Sequence, residues 1–375
     1  MKAEEIKTPA YILDEPALIH NLEILKKVRE NTGCRILLAQ KAFSMFSVYP
    51  VMRNYLDGTT ASGLYEAQLG YEEFGGETHV YAPAFTPDEI KKLCGICGHI
   101  IFNSQSQLEA YGDYARKHNV SIGLRINPEF STQEGHEIYD PCAPFSRLGV
   151  PISNLTSEVM NSVDGLHFHT LCEQNSDALI KTFEAVEKKL SSALGSMKWL
   201  NLGGGHHITR ADYDISALEE LLIYIKDKYN LQVYLEPGEA AALNAGYLFT
   251  TVLDIVDNGM KILILDTSAS CHMPDVLEMP YRPPLKDSGM PGEKKFTYRL
   301  ASRTCLAGDI IGDYSFDREI KIGDRLCFQD MAIYSMVKNN TFNGMPLPSI
   351  GIMKSGGDCE IIKEFGYEDF KGRLS

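Results

Sequence analysis

The chain has 375 residues, 44% of them hydrophobic and 23% charged, with a formal net charge of −14. That composition is globular, and the length exceeds one small module and fits a large domain with a smaller one. The charge argues against a nucleic-acid binder, which needs a basic face, and no apolar run approaches the ~20 residues of a membrane span. The opening MKAEEIKTPAYILDE lacks a basic-then-apolar signal layout, so a cytoplasmic protein is the expectation. Nine scattered cysteines read as reduced thiols and not as a disulfide framework. Cys94 and Cys97 form a lone C-x-x-C, without the second pair that a structural zinc needs.

In chain order, residues 10–13 read as a first strand, followed by a regular alternation. Short apolar runs at 35–41, 59–63, 79–83, 99–102, 122–127, 165–169, 199–203 and 233–238 have strand character. Segments with helical spacing lie between most of them, at 17–28, 65–74, 105–117, 177–194 and 215–229. Thr86 and Ser104 stand where helix caps belong. Eight strands alternating with helices predict an α/β fold, a (β/α)8 TIM barrel, over 13–245; an open doubly wound sheet is the competing architecture. From 246 to 375 the texture turns β-rich, with strands at 247–256, 261–266, 324–328 and 360–362 and a Pro/Gly-rich loop at 279–292. Residues 1–12 are expected to join this second domain.

The unusual residues fall at the carboxyl ends of the barrel strands, where barrels carry their chemistry. Lys41 closes the strand ILLAQ; it is either a rim lysine that snorkels or a desolvated amine suited to Schiff-base chemistry. His167 and His169 share one side of a strand, as metal ligands or as a stacking residue and its packed companion. His206 and His207 are adjacent, so on an extended backbone they face opposite ways. Gly203-Gly204-Gly205 follows the seventh strand, where barrels frequently build a phosphate site from backbone N–H groups. Glu236 follows the eighth strand, and a carboxylate inside the mouth must be paired or protonated.

Taken together these motifs resemble the fold-type III pyridoxal-phosphate decarboxylases, the family of alanine racemase, ornithine decarboxylase and diaminopimelate decarboxylase. The resemblance runs from TPAYILDE at Thr8 to TFNG at 341–344. It implies pyridoxal 5'-phosphate as cofactor, with Lys41 as the Schiff-base lysine and His169 stacked on the cofactor ring. Gly203, Gly204 and Gly205 would cradle the phosphate, Glu236 would pair with the pyridine nitrogen, and Tyr334 would reach the phosphate. Cys305 and Asp309 match the family's cysteine–aspartate loop, with Cys305 as the proton donor to the α-carbon. Arg147 in FSRLG would support the cofactor end of the barrel. The resemblance also implies a homodimer with active sites shared between subunits.

The stretches HTLCEQN, EPGEA and CHMPDVLEMPYRPP resemble the branch that acts on carboxylated polyamines, carboxynorspermidine and carboxyspermidine, giving norspermidine and spermidine. Two departures from the wider family stand out: Glu239 replaces the arginine of E-P-G-R, and Cys172 replaces a serine three residues after the stacking histidine. A carboxylated triamine carries cationic amines, and recognising them calls for acceptors. Glu239, Asp275 and Asp309 are the candidates, with Glu278 in reserve. No metal is expected in this reading. The competing class is a metal-dependent barrel hydrolase using His167, His169 and His207.

Overall fold

The computed structural model describes residues 5–134 and 137–375. The chain divides into two compact units, Asn21–Ala241, and the segment up to His20 together with Ala242–Ser375. Strands are numbered along the chain. β1 (Ala10–Asp14) belongs to the second unit. In the first, β2 (Arg35–Ala39), β3 (Gly58–Ala61), β4 (Glu77–Tyr81), β5 (His99–Phe102) and β6 (Ser121–Asn127) are followed by β8 (Gly165–His167), β9 (Trp199–Asn201) and β10 (Gln232–Leu235). All neighbours are parallel, and the ring closes because β10 pairs with β2. That pairing excludes the open sheet. The two-residue strand β7 (Val150–Pro151) lies outside the ring, beside β6.

Most barrel strands are buried along nearly their whole length, which explains why they read as apolar runs without alternation. The interior is filled by side chains such as Leu37, Ile101, Trp199 and Tyr234. Two strand glycines make room for the indole: a Cβ at Gly123 or Gly165 would meet the Trp199 ring at 2.3 or 2.1 Å. The helices begin at the caps the sequence offers. Ser104 accepts from the Gln107 N–H, and Thr86 and Glu89 form a reciprocal capping box. The helix expected at 65–74 is divided instead, into Leu64–Leu69 and a π turn at Gly70–Phe74. Gly70 is the pivot, since a side chain there would collide with Thr59. Among the described residues, no helix is long and apolar enough to cross a membrane.

The second unit is a mostly antiparallel sheet. β11 (Gly246–Asp257) pairs with β1, β12 (Lys261–Leu265) and β15 (Arg325–Gln329); β13 (Phe296–Ser302) joins β12 to β14 (Ile310–Phe316). β16 (Ser349–Met353) runs beside β1 and carries β17 (Cys359–Lys363) on its far edge. β13, β14 and β16 were not among the expected strands. Along the first half of β11 burial alternates, so Leu248 and Val252 enter a core with Leu263, Leu300, Tyr314 and Phe328. No helix or strand occurs in 279–292.

Candidate active site

The barrel unit brings Lys41, His169, Arg125 and Glu236 to the carboxyl ends of its strands. β2 stops at Ala39, and Lys41 follows two residues later with its Nζ 3.3 Å from His169 Nε2. Lys41 therefore meets an interior histidine; it does not extend outward along the rim. Burial and the neighbouring Arg125 depress its pKa, while Glu236, Glu239 and Glu66 pull the other way. Burial also holds His169 well below the usual imidazole range, so its ring is neutral and carries one N–H. The Gly204 N–H donates to His169 Nδ1 at 3.0 Å, which leaves that single hydrogen on Nε2, facing Lys41. Lys41 receives it only as a free amine with its lone pair available. The hydrogen bonds and the depressed pKa thus agree on a nucleophilic lysine.

Glu236 follows β10 and accepts from Asn201 Nδ2 at 2.7 Å and from His167 Nε2 at 3.3 Å. Burial alone would raise its pKa, yet these donors and Thr60 hold it at about 2. The carboxylate is ionised in the barrel interior. Having donated through Nε2, His167 keeps an Nδ1 that is buried and unpartnered.

The three glycines pass where no side chain fits. A Cβ on Gly203 would lie 2.5 Å from the Phe168 carbonyl oxygen, on Gly204 2.2 Å from that of Glu236, and on Gly205 1.8 Å from that of Leu171. Gly203 and Gly205 also have φ of +70° and +82°, in the left-handed region. The adjacent histidines diverge, His206 Nδ1 to the Tyr213 hydroxyl and His207 Nε2 to Glu239 Oε2, each at 2.7 Å. Burial, Glu239 and Glu173 push the Cys172 thiol up to about 12, so it stays protonated.

Sequence reasoning missed Arg125. It is 4% exposed, donates to the His169 carbonyl at 2.9 Å and lies over the Tyr81 ring. The signal was a charged residue inside the strand SIGLRIN, where only a functional or fully paired cation survives burial. Asn201, on β9, was likewise unmarked. Arg147 contributes its carbonyl to Asn103 Nδ2 at 2.9 Å, and Asn103 in turn accepts from the Tyr81 hydroxyl.

In the sheet unit, Cys305 is exposed on the turn after β13, and its N–H donates to Asn343 Oδ1 at 2.7 Å. Asn343 belongs to the TFNG stretch and has a φ of +56°. Asp309 is 3% exposed and its carboxylate is engaged within this unit, by the Ser268 and Thr304 hydroxyls at 2.6 Å and the Ser270 N–H at 3.2 Å. Through Thr304 these bonds also tie Asp309 to the Cys305 turn. Asp275 and Glu278 both accept from Lys338. Tyr334 is half-buried with a φ of +55°.

The competing metal set does not assemble. His167 turns to Glu236, His169 to Lys41 and Gly204, and His207 to Glu239. Among the described residues, the three-residue group spaced for a cation is a different one, Glu77, His79 and His99.

Residues 10–332 match the family described as pyridoxal-dependent decarboxylase, C-terminal sheet domain. This chain belongs to the pyridoxal-dependent decarboxylases. Among its relatives in that family, the carboxynorspermidine/carboxyspermidine decarboxylase of Campylobacter jejuni is 42% identical, covering 99% of each chain. The carboxyaminopropylagmatine decarboxylase of Synechocystis sp. is 40% identical over all of this chain and 97% of the relative. The crystal structure of carboxynorspermidine decarboxylase complexed with norspermidine, from Campylobacter jejuni, superimposes with a TM-score of 0.91 at 40% identity, covering 98% of this chain and 100% of that one. The fold extends further: diaminopimelate decarboxylase from Helicobacter pylori gives a TM-score of 0.85 at 17% identity, covering 99% and 97%.

Proposed function

We propose that this decarboxylase removes the α-carboxylate of a carboxylated triamine, carboxynorspermidine or carboxyspermidine, with pyridoxal phosphate held on Lys41. The observation that carries the reading is Lys41 itself, a half-buried lysine whose contact with His169 Nε2 requires it to be a free amine. The residues around it fit the cofactor. An amine nucleophile, a glycine cradle that any Cβ would fill, and a buried ionised carboxylate stand at successive strand ends of one barrel. When bound, the group supplies an electron sink for the pair left by the departing carbon dioxide.

The chain's own residues do the rest. Lys41 is the covalent anchor and His169 holds the ring face, its orientation fixed by the Gly204 N–H and by Arg125 on its carbonyl. The Gly203–Gly205 turn lets the backbone approach the phosphate, with the Gly205 N–H and Tyr334 as its donors, since the Gly203 and Gly204 N–H groups are given to Asn201 Oδ1 and His169 Nδ1. Glu236, ionised at about 2, keeps a proton on the heteroaromatic nitrogen against it. Cys305 delivers a proton from its Sγ to the α-carbon as general acid. Asp309 acts as a positioning residue for the Cys305 turn, given its three internal hydrogen bonds. Glu239 and Asp275 are the acceptors for the amines of the substrate, each exchanging its present partner, His207 or Lys338, for a substrate ammonium. We include a homodimer in this reading; light scattering that gives a monomer mass at assay concentration removes it.

The printed activity of the Synechocystis relative supports a second reading, in which the distal group is the guanidinium of carboxyaminopropylagmatine. Carbon dioxide release with added pyridoxal phosphate separates the two, on a panel of carboxynorspermidine, carboxyspermidine, carboxyaminopropylagmatine, diaminopimelate and ornithine. Release confined to the first two supports the proposal. Preference for the guanidinium compound transfers the assignment to the second reading. Release from diaminopimelate overturns the role given to Glu239, because its distal carboxylate would meet a carboxylate.

A further inference from the structure

The amino-terminal end of the barrel holds a second polar cluster that decarboxylation does not use. β4 places Glu77 and His79 on its inward side, two residues apart, and His79 is in register with His99 on β5. The two imidazoles stack with centroids 3.9 Å apart and an interplanar angle of 28°. Tyr234 and Trp199 wall them in, at 4.9 Å from His79 and 5.2 Å from His99. Glu77 Oε2 lies 3.0 Å from His79 Nε2, and its other oxygen meets Arg35.

Two features of this cluster are unexplained by packing. His79 is fully buried, yet its Nδ1 has no partner among the described residues, and neither has the buried Nδ1 of His99. An unpaired buried nitrogen is unfavourable, and two side by side are more so. Barrel interiors are ordinarily closed at this end by branched aliphatic residues, which would fill the layer with no such penalty.

We propose that Glu77, His79 and His99 form a divalent-cation site of the zinc type at the amino-terminal end of the barrel. The ligand atoms of all three residues lie within 4.8 Å of one another. Ligands on a tetrahedral zinc, with bonds of ~2.0–2.1 Å, stand roughly 3.3 Å apart, so the Glu77–His79 spacing is already suitable and His99 closes by a small ring movement. Two imidazoles and one carboxylate suit zinc, cobalt or nickel better than calcium or magnesium. Access is open on the Glu77 side, where the Arg35 side chain is 47% exposed. The cation would tie β4 to β5, replacing the His79 Nε2 hydrogen bond to Glu77 where it binds that nitrogen, a structural role remote from the catalytic end.

Arg35 makes the proposal sharply testable, because a guanidinium on the ligating carboxylate opposes a cation. The holoenzyme is stripped with chelator, dialysed against zinc, and its metal content and affinity are measured for wild type, His99→Gln and Arg35→Gln. The expected result is one zinc per chain in wild type, weakened roughly 100-fold by His99→Gln, and bound more tightly by Arg35→Gln. A purely structural role for these residues would not give opposite shifts. Zinc uptake by wild type no greater than by a His79→Gln/His99→Gln double variant overturns the proposal. X-ray absorption on zinc-loaded wild type requires no variant to fold: a nitrogen/oxygen shell containing two imidazoles supports the site, and a sulfur shell from the cysteines overturns it.

Discussion

The two ends of the barrel are built from the same eight strands and pair their buried polar groups to different degrees. At the carboxyl end, Lys41, His169, Glu236 and Arg125 interlock, and each ionisable group is held in one state by a named neighbour. At the amino end, His79 and His99 are enclosed by rings and each keeps an unpartnered nitrogen. Loops at the carboxyl end bring backbone N–H groups and glycine turns to the charges. At the amino end the backbone N–H groups of Ile36 and Ile122 go to Asp57 and Asp164, and the two imidazoles meet only side chains. Hydrogen-bond partners fix the reactive states at the first end, and at the other desolvation is the largest influence, with Arg35 pushing the same way.

The largest expected effect breaks the catalytic end outright. Lys41→Ala lowers carbon dioxide release by roughly 10⁴-fold or more and removes the absorption of protein-bound cofactor, read in one spectrophotometric and one gas-release assay. Cys305→Ala follows: the absorption persists while formation of the amine product falls by ~10²–10⁴-fold. Full-rate product from that variant would end the proton-donor role.

A glycine pair then compares the two ends by stability. Gly204→Ala puts a Cβ 2.2 Å from the Glu236 carbonyl oxygen, whereas Gly98→Ala, just before β5, meets nothing within 4 Å. Denaturant midpoints should show a loss of ~1–3 kcal/mol for the first and within ~0.5 kcal/mol of no change for the second.

The smallest effect is a pH dependence at the amino end. His79 and His99 titrate at about 3 in the folded chain against 6.5 unfolded. The unfolded chain thus binds more protons between those values, and stability falls as pH drops from 6.5 toward 3. His99→Gln should flatten that acid limb in thermal melts. Lys41 has the same sign higher up: its penalty is relieved as pH rises toward 10.5, so the stability gained by the cofactor-free Lys41→Met variant shrinks over that rise.

Much of the catalytic end was legible because its residues interrupt a pattern. Lys41 ends an apolar run, three glycines follow another, and Glu236 precedes a proline, each at a strand terminus where a barrel exposes it. Arg125 interrupts a pattern just as plainly, but one strand looks like another until the partner of its charge is known. Asp309 shows what a motif leaves out: the fold brings Ser268 and Ser270 from about 40 positions away to its carboxylate, beside the nearby Thr304.

The sequence by itself determined the alternation of strands and helices, the helix caps and the strand-end positions of the reactive groups, because these follow from local periodicity and backbone sterics. The tertiary structure decided which side chains face each other across the barrel: Lys41 with His169, Glu236 with His167 and Asn201, and His79 with His99. Those pairings depend on ring closure and strand register, which join residues up to 128 positions apart and set the protonation states through burial.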